Sequence, residues 1–289
     1  MNNDIRNQIK KITIHTKRIM QSTLVGDYLS AFKGSGLDFD QLREYQMGDD
    51  IRFIDWNSSA KSNKLMVKQF IEERDRTIIL AIDISASSDY SSDHELRSQT
   101  IAQVAASLAF IATTNKDKVG ALFFSSEIEK WIPPSRGKGH YAKILESIFS
   151  IKPKQKSTCI KSALNFLLSL KQRNSILFML SDWIDDSESY VKLLKIARYK
   201  FDFIGIRFLD ACEQKLPLYG LIDLEDPETG ESVTIDTRKD TDTFLRARQL
   251  EQNRLFKKQK IDLLDLSVGK PFVTPLIQFF HHRTRKQIR

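Results

Sequence analysis

Asp83 closes a run of five apolar residues, Ile78–Ile82, and Ser85 and Ser87 follow it at alternate positions. A second apolar run, Ile176–Leu180, also leads to an acid, Asp182. A carboxylate and hydroxyls so spaced could form a nucleophile, a phosphate cradle, a cation site or a polar turn. Uniformly apolar runs of this length are the pattern of parallel strands covered on both faces. In an open parallel sheet, ligands bind outside the carboxyl ends of the strands, so both acids would lie on one edge. If their strands are neighbours, the backbones run about 5 Å apart. Two carboxylates that close do not ionise together without a cation or hydrogen-bond donors between them. Carboxylate and hydroxyl oxygens suit a hard cation, Mg²⁺ first, with Mn²⁺ or Ca²⁺ as other occupants. The bland alternative is that Asp83 and the serines cap the turn and helix that follow.

The elements that must position these residues alternate. Strands are expected at 78–82, 119–124, 128–132, 176–180, 201–208 and 261–266, with Pro133 and Pro134 ending the third. Helices are expected over 94–113, 140–151, 159–172, 188–198, 241–259 and 275–285, and an amphipathic one over 4–21. Runs 221–224 and 233–236 flank Asp226-Pro-Glu-Thr-Gly230, which predicts a hairpin. Strands alternating with long helices predict an α/β domain, doubly wound with a mostly parallel sheet, over 75–289. Residues 1–74 lack this alternation and read as an extension packed on the domain, irregular with short strands over 26–63 and with a strand near 65–71.

The Asp83-x-Ser85-x-Ser87 loop resembles the metal-ion-dependent adhesion site of von Willebrand factor A domains. Thr158-Cys-Ile-Lys-Ser-Ala-Leu164 resembles that family's second loop, and Leu180-Ser-Asp-Trp183 its third. The resemblance implies that Asp83, Ser85, Ser87, Thr158 and Asp182 surround one Mg²⁺, and that a partner's Glu or Asp fills the position left open. That mode is adhesion, not catalysis. Trp183 stands where the family usually has glycine, and is expected to narrow the approach to the metal.

Residues 34–60 are the second distinctive stretch, with Asp38, Asp40, Glu44, Asp49, Asp50 and Asp55 interleaved with Arg43 and Arg52. Ile51, Ile54 and Trp56 offer apolar anchors. The pattern predicts an ion-pair network clamping this segment onto the domain, with a partner or ligand surface as the alternative. This stretch, Val67–Asp75 and Pro275–Arg283 are similar to the signature of a bacterial family known as domain of unknown function number 58. The resemblance covers about 25–285 and implies a von Willebrand-type A domain working beside MoxR-type AAA+ ATPases in chaperone-like assembly.

Composition bounds the rest. The 289 residues are 41% hydrophobic, which allows a substantial core. No apolar run is long enough to span a membrane, and the N-terminus lacks a signal-peptide core, so a cytoplasmic protein is expected. The charge of +8 is concentrated at the ends: residues 1–20 carry +4 and 253–289 carry +7, leaving the body at −3. Nucleic acid is therefore not the expected partner, and membrane contact is peripheral at most. Cys159 and Cys212 lack metal or redox spacing, and the five histidines lack zinc spacing. Ser135–His140 is basic and glycine-rich but lacks the phosphate-loop pattern. A haloacid-dehalogenase-type nucleophile would need an acid where this chain has Ser85. A non-enzymatic interaction module is the expectation. The alternatives are a metal-dependent hydrolase using the same acids, and a binder of nucleic acid or membrane surfaces through the basic ends.

Overall fold

The computed structural model describes residues 28, 37–72, 76–89, 96–155, 157–172, 175–214, 220–225, 230–238 and 241–287. The helix expected over 4–21 lies outside them. The chain divides into two compact units: Phe32–Asp75, and Met1–Ala31 together with Arg76–Arg289.

The larger unit is built on one sheet. Its strands are β3 (Thr77–Asp83), β4 (Lys118–Phe124), β5 (Ile128–Ser135), β6 (Ser175–Ser181), β7 (Phe201–Leu209) and β10 (Asp262–Ser267). Their spatial order is β10-β7-β6-β3-β4-β5, parallel throughout except for β5 against β4. This is the expected doubly wound, mostly parallel arrangement. The order reverses between β3 and β6, which pair directly with Ile82 opposite Leu180. A crevice at the carboxyl ends of such a pair is where open α/β sheets bind ligands. The apolar runs became central strands because both their faces are covered: every residue from Ile78 to Asp83 and from Ser175 to Ser181 is buried.

Helices α2 (Arg97–Thr114), α3 (Lys138–Ser150), α4 (Ile160–Ser169), α5 (Ser187–Lys200), α6 (Ala211–Gln214), α7 (Thr241–Gln259) and α8 (Val273–Gln287) connect and cover the strands. Residues of α4, α5 and α7 share one core with Ile79, Ala81, Leu177, Met179 and Phe203 of the sheet. Helix α2 packs on β3 and β4, with α3 beside it. Tyr28 is buried, donates a hydrogen bond to Asp117 at 3.2 Å and meets Phe280 edge-on.

Two expectations change in this unit. Strand β5 continues through Pro133 and Pro134 to Ser135. It is an edge strand, where a missing N–H costs no ladder partner. Gly120 of β4 leaves the room, since a Cβ there would lie 2.9 Å from Pro134 Cγ. The short helix α6 was not foreseen. The hairpin forms as expected, with β8 (Leu221–Glu225) antiparallel to β9 (Ser232–Asp236).

The smaller unit pairs β1 (Leu37–Glu44) antiparallel with β2 (Met66–Glu72) and carries a 3₁₀ turn at Ile51–Phe53 and helix α1 (Trp56–Ser62). Asp50 caps the turn and Asp55 caps α1, which explains two of the acids as N-caps. The ion pairs described for this segment, Arg43–Asp49, Arg52–Asp50, Lys64–Glu44 and Lys68–Asp55, all close within it. They fold the segment on itself. Of the expected anchors, Ile54 is half-buried, whereas Ile51 and Trp56 are each 68% exposed.

Candidate functional site

Asp83 is the last residue of β3, and its carboxylate organises the turn that follows. Asp83 Oδ1 accepts from the Ser85 backbone N–H at 3.0 Å and from Ser85 Oγ at 2.7 Å. Ser85 Oγ lies 3.0 Å from Ser87 Oγ. The capping role and the cation-site role thus use the same atoms. Ser181, the last residue of β6, donates its hydroxyl to Asp83 Oδ2 at 2.6 Å. Asp83, Ser85, Ser87 and Asp182 are all buried, and Ser87 is the most exposed of them at 8%. Burial first, and the negative charge of Asp182 second, push the Asp83 carboxyl up to about 7 against the lowering pull of the Ser181 and Ser85 hydroxyls.

Asp182 follows β6. Its Oδ1 accepts from the Ile184 N–H at 3.0 Å, and its Oδ2 accepts from Arg97 Nη1 at 2.5 Å. Arg97 also reaches the Ser87 carbonyl at 3.3 Å and pairs with Glu213 of α6. Burial disfavours the Arg97 charge, but Asp182, Glu213 and Asp210 outweigh it and keep its pKa raised.

Thr158 is half-buried in the loop before α4. That loop is braced on both sides. The Cys159 N–H donates to the Ser125 carbonyl, just past β4, at 3.0 Å, and the Ile160 N–H donates to Asp185 Oδ2 at 2.8 Å. The 157–160 loop therefore sits at the same sheet edge as the other two. The structure gathers Asp83, Ser85, Ser87 and Asp182 around the β3–β6 reversal and puts Thr158 in the adjoining loop.

Trp183 does not narrow the approach, because its side chain turns away into the core. It is fully buried, edge-on to Phe256 with ring centres 4.7 Å apart, and beside Tyr190 and Phe203. Its φ of 61° is left-handed, the conformation for which glycine is the default residue. Gly205 of β7 gives the indole space: a Cβ there would lie 3.3 Å from Trp183 Cζ2 and 2.8 Å from Phe256 Cε1. The Trp183 backbone is held by its N–H to Ser181 Oγ at 3.0 Å and by Gln252 Nε2 to its carbonyl at 2.7 Å.

The donor set fits a small hard cation. Cis oxygens in an octahedron at the Mg²⁺ distance are about 2.9 Å apart, against roughly 3.3 Å or more for Ca²⁺. The consecutive separations from Asp83 Oδ1 to Ser85 Oγ to Ser87 Oγ, 2.7 and 3.0 Å, are ordinary hydrogen-bond lengths that line up three hard oxygens along one turn. Ser–OH protons hold these oxygens together in the structure; a cation would take over that work. No group of three or more His, Cys, Asp or Glu with metal-binding geometry occurs among the described residues. The acids available here are Asp83 and Asp182, with hydroxyls completing the set.

Three participants escaped the sequence reading. Ser181 had a signal, being the hydroxyl position of the Leu180–Trp183 motif. Arg97 and Glu213 had none, since Arg97 is 85 positions from Asp182 and 116 from Glu213.

Comparison with known proteins places the chain among relatives. It is 24% identical over 283 residues to the uncharacterized protein Rv1480 of Mycobacterium tuberculosis, covering 96% of this chain and 89% of that one, and equally to the uncharacterized protein Mb1516 of Mycobacterium bovis. Among solved structures, the conserved hypothetical protein BatB from Bacteroides thetaiotaomicron superposes with a TM-score of 0.50 at 15% identity, over 73% of this chain and 99% of that one. A von Willebrand factor type A protein from Catenulispora acidiphila gives 0.41 at 12% identity, over 74% of this chain and 43% of that one. No helix among the described residues is long and apolar enough to cross a membrane. Residues 41–255 match the family described as protein of unknown function DUF58, and the chain belongs to that family.

Proposed function

We propose that this chain is a non-enzymatic protein-interaction module. In this reading Asp83, Ser85, Ser87, Thr158 and Asp182 hold a divalent cation, Mg²⁺ by preference, and a carboxylate of a protein partner completes its coordination. The observation that carries the reading is the run of three oxygens, Asp83 Oδ1, Ser85 Oγ and Ser87 Oγ, at 2.7 and 3.0 Å along one turn. It lies at the strand-order reversal, with Asp182 just past the end of the neighbouring strand. A structural cap needs the first of these contacts but not a third oxygen in line. The proposed partner is a MoxR-type AAA+ ATPase, in chaperone-like assembly, as the family resemblance implies.

The test is calorimetric titration of Mg²⁺ into wild type and Asp83→Ala. Binding by wild type that Asp83→Ala loses is expected; equal binding by both, or by neither, sinks the cation site. Capture of the ATPase is then compared in Mg²⁺ and in EDTA. Capture that ignores EDTA leaves the cation site standing and removes its part in recognition.

A further inference from the structure

The cation site already contains a cation. Arg97, in the first turn of α2, is 1% exposed, and its guanidinium lies against Asp182 Oδ2 at 2.5 Å and the Ser87 carbonyl at 3.3 Å. A guanidinium does not give up its proton in a protein, so this charge is permanent. Both oxygens of Asp182 are engaged, Oδ1 by the Ile184 N–H and Oδ2 by Arg97. An ion seated on Asp83, Ser85 and Ser87 therefore shares Asp182 with Arg97, whether it takes Oδ2, uses the remaining lone pair of Oδ1 or reaches the carboxylate through a water. Arg97 has a second seat. Its Nη2 pairs with Glu213, whose other oxygen accepts from the Asp210 N–H at 3.1 Å, and Asp210 adds further favourable charge. Glu213 is the more hydrated partner, with its side chain 27% exposed against 2% for Asp182.

We infer that Arg97 is a built-in counter-cation: it neutralises Asp182 when no metal is bound, competes with the metal for that carboxylate, and leans on Glu213 when the metal takes it. The affinity of the site is then set by a residue outside the ligand set. Glu213 lies in the short helix after β7, so metal binding also reaches the strand beyond β6. This inference rests on the cation reading of the site given above.

The test measures Mg²⁺ affinity by calorimetry and melting temperature in EDTA and in Mg²⁺ for wild type, Arg97→Met, Arg97→Lys and Glu213→Gln. Removing a like charge from a partly dehydrated site is expected to tighten Mg²⁺ binding in Arg97→Met by about tenfold or more. The same variant should melt lower in EDTA and recover most of that loss in Mg²⁺. Glu213→Gln should shift affinity the opposite way, because the guanidinium loses its alternative seat, and Arg97→Lys should stay nearer wild type than Arg97→Met. An arginine that merely props the loop predicts equal or weaker Mg²⁺ binding in Arg97→Met and an equal melting loss in both media; either result overturns the inference while leaving the wild-type site intact. If Arg97→Met does not fold, unchanged or tighter binding in Glu213→Gln overturns it. Absence of Mg²⁺ binding in wild type and every variant removes the cation reading itself, and the inference with it.

Discussion

At the scale of single residues, Trp183 shows how one position can serve two ends. Its backbone takes a left-handed turn directly after Asp182, which meets Arg97, while its indole plugs the core between β7, α5 and α7. A left-handed non-glycine residue costs on the order of 1–2 kcal/mol. Removing a buried tryptophan costs about 3–5 kcal/mol. The packing effect is larger, so Trp183→Gly should lower unfolding stability by about 1–4 kcal/mol despite relieving the turn, measurable by urea denaturation. A stabilised variant would mean that strain outweighs the indole. Asp83 makes a complementary case. Its usual role in a turn would leave it exposed and acidic, yet burial and Asp182 hold it at about 7. A positive charge beside it would relieve that penalty and return the group toward its ordinary range.

At the scale of elements, the three loops at the sheet edge are held by hydrogen bonds that differ in kind. The 83–87 turn is organised by its own side chains, the 157–160 loop by backbone N–H groups reaching Ser125 and Asp185, and the 181–184 turn by Ser181 below and Gln252 above. Gln252 in turn accepts from Arg207, which pairs with Asp265 across β7 and β10. The site is thus continuous with the far edge of the sheet. The small unit follows a different rule, with short-range pairs closing its own turns. Hydrogen bonds from Arg43 hold the Asp49 carboxyl below its ordinary range. A carboxyl whose folded value lies below the unfolded one contributes stability above the unfolded value, near 3.9, and loses it as pH falls through the folded value. Carboxyl NMR titration should find Asp49 titrating below the model-peptide value of about 3.9. Arg43→Gln should return it toward that value; no upward movement would mean that Arg43 is not the cause.

At the scale of the molecule, the candidate ligands come from loops following β3 and β6 and preceding α4, so a bound ion would tie together strands that carry most of the core. Anything that binds the native state and not the unfolded chain stabilises it by mass action, about 2.7 kcal/mol at a ligand concentration one hundred times Kd. Mg²⁺ at that excess should raise the melting temperature reversibly, with EDTA restoring the starting value and Asp83→Ala showing no rise. A rise that persists in Asp83→Ala would place the stabilising ion elsewhere.

The sheet was legible from the chain alone because burial on both faces writes itself as an unbroken apolar run, and Ile78–Ile82 and Ile176–Leu180 are short apolar runs that form covered strands. Asp83, Ser85, Ser87 and Asp182 were legible for a related reason: polar groups directly after such runs fall at one sheet edge. The tertiary structure alone decided what faces them. Arg97 meets Asp182 across 85 residues, and the indole of Trp183 finds its place only because Gly205, on the next strand, lacks a side chain. Spacing along a chain records which groups share an edge; the charge that neutralises them and the cavity that receives their neighbour are set by packing between elements distant in sequence.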